Sequence, residues 1–130
     1  MAIPDFKNKI VLIVEDDEMS AAFLLEMLEE TGATLIHVEN GSDAIYKIHD
    51  QKDIDIVLMD IQLPDMNGWQ ATRIIKKVRK SIPVIIQSAF VLETHIKKSE
   101  EAGCDYFVSK PIDINKLFEV MEKAIMQYQN

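Results

Sequence analysis

A three-layer α/β sandwich built on a parallel sheet is the fold this chain predicts, and three observations predict it. Short apolar runs alternate five times with longer segments of helical periodicity. The first, third and fourth runs are almost continuously apolar, as strands covered on both faces must be. No linker, low-complexity tract or internal repeat interrupts the alternation, so the 130 residues read as one domain. Strand–helix alternation of this kind implies right-handed crossovers between parallel strands.

The elements follow in order. Residues 1–8 read as an N-terminal extension ahead of the first strand, Lys9–Val14. The segment Asp17–Glu30 carries Phe23, Leu24, Met27 and Leu28 at helical spacing and stops at Gly32. Thr34–Val38 is a more mixed run, which fits an edge strand, and Ser42–Asp50 sets Ala44, Ile45 and Ile48 on one helix face. The third strand, Ile54–Met59, leads through a turn to a helix over Trp69–Lys80, with Ile74, Ile75 and Val78 inward and a basic outer face. The fourth strand is Ile82–Gln87, and the helix Glu93–Ala102 after it is the least amphipathic, ending at Gly103. A second mixed run, Asp105–Val108, is the other edge strand. The last helix, Asp113–Gln127, has the clearest periodicity, with Ile114, Leu117, Phe118, Met121 and Ile125 recurring at three and four residues and Tyr128 continuing the series.

Composition excludes several classes. With 48% apolar and 28% charged residues the balance is that of a globular domain able to bury its own core. The single cysteine, Cys104, permits no intrachain disulfide, which suits a reducing, cytoplasmic setting. No apolar run approaches the roughly 18 residues of a membrane helix, and the N-terminus lacks a signal-peptide core. A net charge of −8 argues against direct nucleic-acid binding.

In open parallel sheets ligands bind beyond the carboxyl ends of the strands. The residues there are Glu15, Asp16 and Asp17 after the first run, Asp60 after the third, Ser88 and Ala89 after the fourth, and Ser109, Lys110 and Pro111 after the fifth. If the sheet order is 2-1-3-4-5, Glu15, Asp16 and Asp60 converge. Carboxylates that close repel one another, and a proton or a cation must intervene. An all-oxygen cluster suits Mg²⁺, or Mn²⁺ in its place. A metal ion, the Lys110 ammonium and the Ser88 hydroxyl around one carboxylate make a place to hold a phosphoryl group, with the carboxylate as nucleophile.

The stretches "VLIVEDD", "VLMDIQLPDMNGW", "PVIIQSA" and "AGCDYFVSKP" together resemble the receiver domain of two-component response regulators, over essentially the whole chain. The resemblance implies a flavodoxin-like sheet of order 2-1-3-4-5. It implies that Asp60 is the phosphoacceptor, that Asp16 ligates Mg²⁺ directly and Glu15 through water, and that the backbone carbonyl of Gln62 completes the metal site. Lys110 would pair with the phosphoryl group, Ser88 would be the switch hydroxyl and Phe107 the switch aromatic. The Lys110–Pro111 bond is expected to be cis. The phosphodonor would be a sensor histidine kinase or a histidine phosphotransfer protein. The output would pass through the surface of the fourth helix, fifth strand and fifth helix, to a downstream partner the sequence does not name, from a monomer or a phosphorylation-dependent homodimer. The chain fits a stand-alone regulator and a receiver within a hybrid histidine kinase equally. It would be no turnover enzyme, catalysing only its own phosphorylation and slow dephosphorylation.

Some positions depart from the commonest pattern: Ser88 for threonine, Glu15 for aspartate, Phe107 for tyrosine. Phe90, two after Ser88, is bulky where the family tunes the phosphoryl lifetime, and a Phe90→Glu variant is expected to lose the group faster. Gly68 is read as supplying backbone angles for the turn before the third helix, and the N-terminus of the first helix as favouring anions. An aspartate-nucleophile phosphatase of the haloacid-dehalogenase type is the nearest rival, but it needs a second aspartate two residues after the nucleophile, where Gln62 stands. A flavodoxin-like flavin binder would need a hydroxyl- and glycine-rich first loop in place of "EDDEMS". A pseudo-receiver would lack a site residue, and none is missing. His37, His49 and His95 have no metal-ligand spacing and read as surface residues, and Cys104 reads as structural.

Overall fold

The computed structural model describes residues 3–89 and 92–128. The strands are β1 (Ile10–Val14), β2 (Thr34–Val38), β3 (Ile56–Asp60), β4 (Val84–Ser88) and β5 (Tyr106–Ser109). The helices are α1 (Glu18–Glu29), α2 (Gly41–Asp50), α3 (Gly68–Val78), α4 (Glu93–Ala102) and α5 (Ile114–Gln127). All strand pairs are parallel and the sheet order is β2-β1-β3-β4-β5. The two mixed runs, β2 and β5, are the edges.

Strand alternation sends successive side chains to opposite faces. Ile13, Leu58, Ile85 and Val108 meet Leu24 and Leu28 of α1 and Leu117, Phe118 and Met121 of α5. Leu12, Val14, Val57, Met59 and Ile86 meet Ala44 and Ile48 of α2 and Ala71 and Ile75 of α3. Residues 3–9 do not simply trail, since Phe6 is buried in the α1–α5 layer and its N–H reaches Thr31 O at 2.9 Å.

Several predicted boundaries move by one or two residues, and the carboxyl ends of three strands matter most. β3, β4 and β5 each run one residue further than their apolar runs, so Asp60 and Ser88 are the last residues of strands and remain in register with Gln87 and Ser109. Backbone ladders are indifferent to whether the side chain they carry is polar. In α3 the buried stripe is Gly68, Ala71, Thr72 and Ile75, whereas Ile74 and Val78 face outward at 37% and 40% exposure. The small residues lie inward because α3 packs close to β3. Phe23 of α1 is likewise 40% exposed, and Ala21 takes an inward place beside Leu24 and Leu28.

Lys76 departs from the expected basic outer face. Its ammonium donates to Ile82 O at 2.6 Å and to Asp105 Oδ2 at 2.8 Å, and it lies 5.2 Å from the Tyr128 ring centre. The Tyr128 hydroxyl donates to the same carboxylate at 2.6 Å, tying α3 and the end of α5 to the start of β5. Cys104, next to this knot, has its thiol pushed up to about 12, by burial first and then by the Asp105 and Glu100 charges. At about pH 8 its alkylation by iodoacetamide should therefore be at least about a hundredfold slower in the folded protein than in urea. Equal rates would contradict a structural role.

α4 is held differently from the other helices. Only Ser99 and Ala102 are buried along it, and its start has no side-chain cap. Its attachment to α3 is polar and aromatic: Trp69 Nε1 donates to Ser99 Oγ at 2.8 Å, and the Trp69 and His95 rings stack at 5.8 Å. His95 is thus an α3–α4 contact rather than a surface residue. Few buried aliphatic contacts leave an element free to shift at low cost.

Candidate functional site

The carboxyl ends of β1, β3 and β4 open into a cleft lined by Asp16, Asp60, Gln62, Ser88, Ala89 and Lys110, among others. Of the strand-end residues singled out from the sequence, Asp16, Asp17, Asp60, Ser88, Ala89 and Lys110 line it and Glu15 lies against Lys110 and Asp60, whereas Ser109, Pro111 and the Phe107 ring do not line it. That ring is half-buried on the opposite layer of the sheet, opposite Ile86. The Lys110–Pro111 bond is cis, as expected. Phe90 lies outside the described residues.

Asp60 is 7% exposed, and its Oδ1 accepts the Ile61 N–H at 2.8 Å. Carboxylate oxygens of Glu15, Asp16 and Asp60 lie within 4.8 Å of one another. Burial above all, and then hydrogen bonding to Glu15 and its charge, push the Asp60 carboxyl up to about 7, against the opposing pull of Lys110 and the Ile61 N–H. A cluster of hard oxygen donors, one of them exposed on Asp16, fits a Mg²⁺-sized cation that keeps several waters.

Lys110 divides its charge between two carboxylates, with Glu15 the nearer. Its Nζ lies 2.7 Å from Glu15 Oε1 and 3.5 Å from Asp60 Oδ2. Burial alone would lower the Lys110 pKa, but Glu15 and Asp60 outweigh it and the net shift is upward. Glu15 is fully buried, and its other oxygen accepts the Asp17 N–H at 3.2 Å. The extra methylene that glutamate has over aspartate gives it reach toward Lys110. The edge strand adds a further hold, since His37 Nε2 lies 2.7 Å from Glu15 O.

The N-terminus of α1 is less open to anions than expected. Asp17 caps it by accepting the Ser20 N–H at 2.9 Å, which lowers its own pKa, and Glu18 occupies the first turn. Gly68 also has a different reason from the expected one. Only Gly32 and Gly103 have positive φ among the described residues, and Gly68 simply begins α3. What forbids a side chain there is the backbone beneath it, since an added Cβ would stand 2.1 Å from Asp60 O.

Asp65, in the same turn, was not singled out from the sequence. Its carboxylate accepts the Gly41 N–H at 2.8 Å, the Ser42 N–H at 2.9 Å and the Ser42 hydroxyl at 2.6 Å. These bonds, the Ser42 hydroxyl first, hold its pKa down to about 2. An acid at a helix start is a familiar capping pattern, but the helix here is α2, more than twenty residues earlier in the chain, and no local signal shows that.

Residues 11–122 match the response regulator receiver domain family. The chain belongs to that family. It is 32% identical over 119 residues to the polar-differentiation response regulator DivK of Brucella anthropi, covering 90% of this chain and 96% of that one. Among solved structures it resembles a CheY-like receiver domain protein of Methanospirillum hungatei, at 25% identity and TM-score 0.86 over 92% of this chain and 95% of the other. It also resembles the receiver domain of the sensor histidine kinase PA1611 of Pseudomonas aeruginosa, at 27% identity and TM-score 0.84 over 91% and 98%. That structure holds a magnesium ion in its active-site cleft. Within this receiver domain, no helix of the described residues is long and apolar enough to cross a membrane.

Proposed function

We propose that this receiver domain is a phosphorylation-dependent switch that accepts a phosphoryl group on Asp60 from the phosphohistidine of a histidine kinase or phosphotransfer protein. The observation that carries the reading is the setting of Asp60: buried at the end of β3, with the Glu15 and Asp16 carboxylates beside it and Lys110 Nζ at 3.5 Å. An Asp60 carboxylate oxygen attacks phosphorus in line. The P–N bond breaks, and its electron pair returns to the histidine ring. Asp16, Asp60, Glu15 through water and the Gln62 carbonyl would hold Mg²⁺, which neutralises charge on the transferred oxygens when bound. Lys110 supplies a fixed positive charge on the other side, and the Ser88 hydroxyl a donor.

The response passes from Ser88 at the end of β4 toward Phe107 in β5 and to α4, β5 and α5. Support for that route is the loose hold on α4, whose buried contacts are few and whose link to α3 runs through Trp69, His95 and Ser99. The domain turns over no small substrate. Gln62, two residues beyond Asp60, offers no acid–base group for rapid hydrolysis.

Incubation with acetyl phosphate and Mg²⁺ should add one phosphoryl mass to the intact wild-type chain. The gain should be absent without Mg²⁺ and absent in Asp60→Asn. No gain under any condition, with no binding of beryllofluoride, would instead make the domain a pure interaction module.

A further inference from the structure

Gln87 is the anomaly of the site. It sits one residue before Ser88 in β4, in register with Asp60 on one side and Val108 on the other. It is 1% exposed, and neither its Oε1 nor its Nε2 has a hydrogen-bond partner among the described protein groups. A buried amide left unpaired is a standing cost, and natural strands seldom carry one without a use. The preceding β4 residues, Val84, Ile85 and Ile86, are buried aliphatics.

Its surroundings suggest the use. Strand alternation places Gln87 on the face of Ile85, the face that Leu58 and Ile13 also share. Asp60 and Glu15, two residues beyond those, project the same way. On that face a cleft of about 330 Å³ lies between α1 and the turn after β5, and Glu15, Gln87 and Lys110 line it together with Phe23 and Ile112. Gln87 therefore shares a cleft with the very pair, Glu15 and Lys110, whose ammonium–carboxylate contact is 2.7 Å.

We propose that Gln87 is a positioning residue that takes over this contact when the pair separates. The inference rests on the function proposed above. When a divalent cation draws on the Glu15 carboxylate, Lys110 loses its nearest acceptor. A glutamine amide is the neutral group that serves both partners, accepting an ammonium N–H through Oε1 and donating to a carboxylate through Nε2. An aliphatic side chain serves neither, and a glutamate would add another negative charge to three. Gln87 has no protein partner before the exchange and gains one or two in it, so its effect falls chiefly on the cation-bound state.

Thermal melts of the wild type and of Gln87→Met, which keeps length without hydrogen bonds, separate this from a packing role. Without Mg²⁺ the variant should melt at or above the wild type. Its half-saturating Mg²⁺ in the melts should rise about tenfold, the worth of one hydrogen bond to a charged group. In the wild type, the Gln87 side-chain NH₂ resonances should shift as Mg²⁺ is added, a readout that needs no variant. Unchanged half-saturation overturns the proposal, as does an equal loss of melting temperature with and without Mg²⁺, or an NH₂ signal blind to Mg²⁺. A wild type that gains phosphoryl mass while Gln87→Met keeps its Mg²⁺ response removes this inference alone. A wild type that neither gains mass nor responds to Mg²⁺ removes both.

Discussion

Gly68→Ala is expected to destabilise the fold by about 3 kcal/mol and to abolish phosphoryl uptake at Asp60 even where the protein stays folded. The added methyl would stand 2.1 Å from Asp60 O, 2.9 Å from Asp60 C and 2.9 Å from Ile61 Cα. All three are backbone atoms, so no rotamer change relieves the clash. Either α3 lifts from the sheet or the end of β3 moves. The Gly68 N–H donates to Ile61 O at 2.7 Å, so lifting α3 also breaks that bond. Moving β3 displaces the proposed nucleophile directly. Gly41→Ala is the natural control. Its added methyl meets Met66 Cγ at 2.5 Å and Sδ at 2.7 Å, atoms near the end of a flexible side chain that can turn away. Urea melts paired with acetyl phosphate mass gain check the contrast. Gly68→Ala as stable as Gly41→Ala, and phosphorylated as fast as wild type, would remove the steric account.

The same residue shows what the sequence made legible and what it did not. Gly68 stands out beside Asn67 as a turn signal, but its reason is the approach of a helix start to a strand end, which is a tertiary fact. The sheet itself was legible because parallel strands buried on both faces must be continuously apolar, and β1, β3 and β4 are. The strand ends were legible as a site because parallel topology brings all carboxyl ends to one edge, so Glu15, Asp16, Asp60, Ser88 and Lys110 needed only the sheet order to meet. Pairings within that edge were not legible. Lys110 lies closer to Glu15 than to Asp60, because the choice depends on side-chain reach and burial. Lys76 looked solvated from its helical neighbours and is held by Asp105 and Tyr128 from other elements. Gln87 lay inside a quoted strand, yet nothing in its neighbours says that its amide has no protein partner.

In the absence of metal, stability is expected to fall as pH rises from about 4 to about 7, and Asp60→Asn should abolish most of that fall. The Asp60 carboxyl is pushed up to about 7 from an ordinary 3.8, by burial first and by Glu15 second. Between those values the folded protein holds a proton that the unfolded chain has released. Stability then declines with pH, because the folded state binds more protons than the unfolded one, and it levels off above the folded value. The opposite contributions, from Asp17 and Asp65, whose carboxyls are held low, are complete above about pH 4 and leave this window clear. Asparagine keeps an oxygen for the Ile61 N–H, which donates at 2.8 Å, and it presents an amide N–H to Glu15 in place of a second negative charge. After allowance for solvent reaching the partly open cleft, the variant should be more stable than wild type by about 2 kcal/mol at pH 8, and by much less at pH 5. Urea melts of both proteins in chelator at the two pH values measure this directly. A difference that is the same at both, or a wild type that gains stability between them, would show that Asp60 does not carry the strain. The sign also bears on function. A carboxylate that destabilises its own fold when ionised gains most from a cation or a bond to phosphorus, so the free energy stored at Asp60 favours metal binding and phosphoryl uptake.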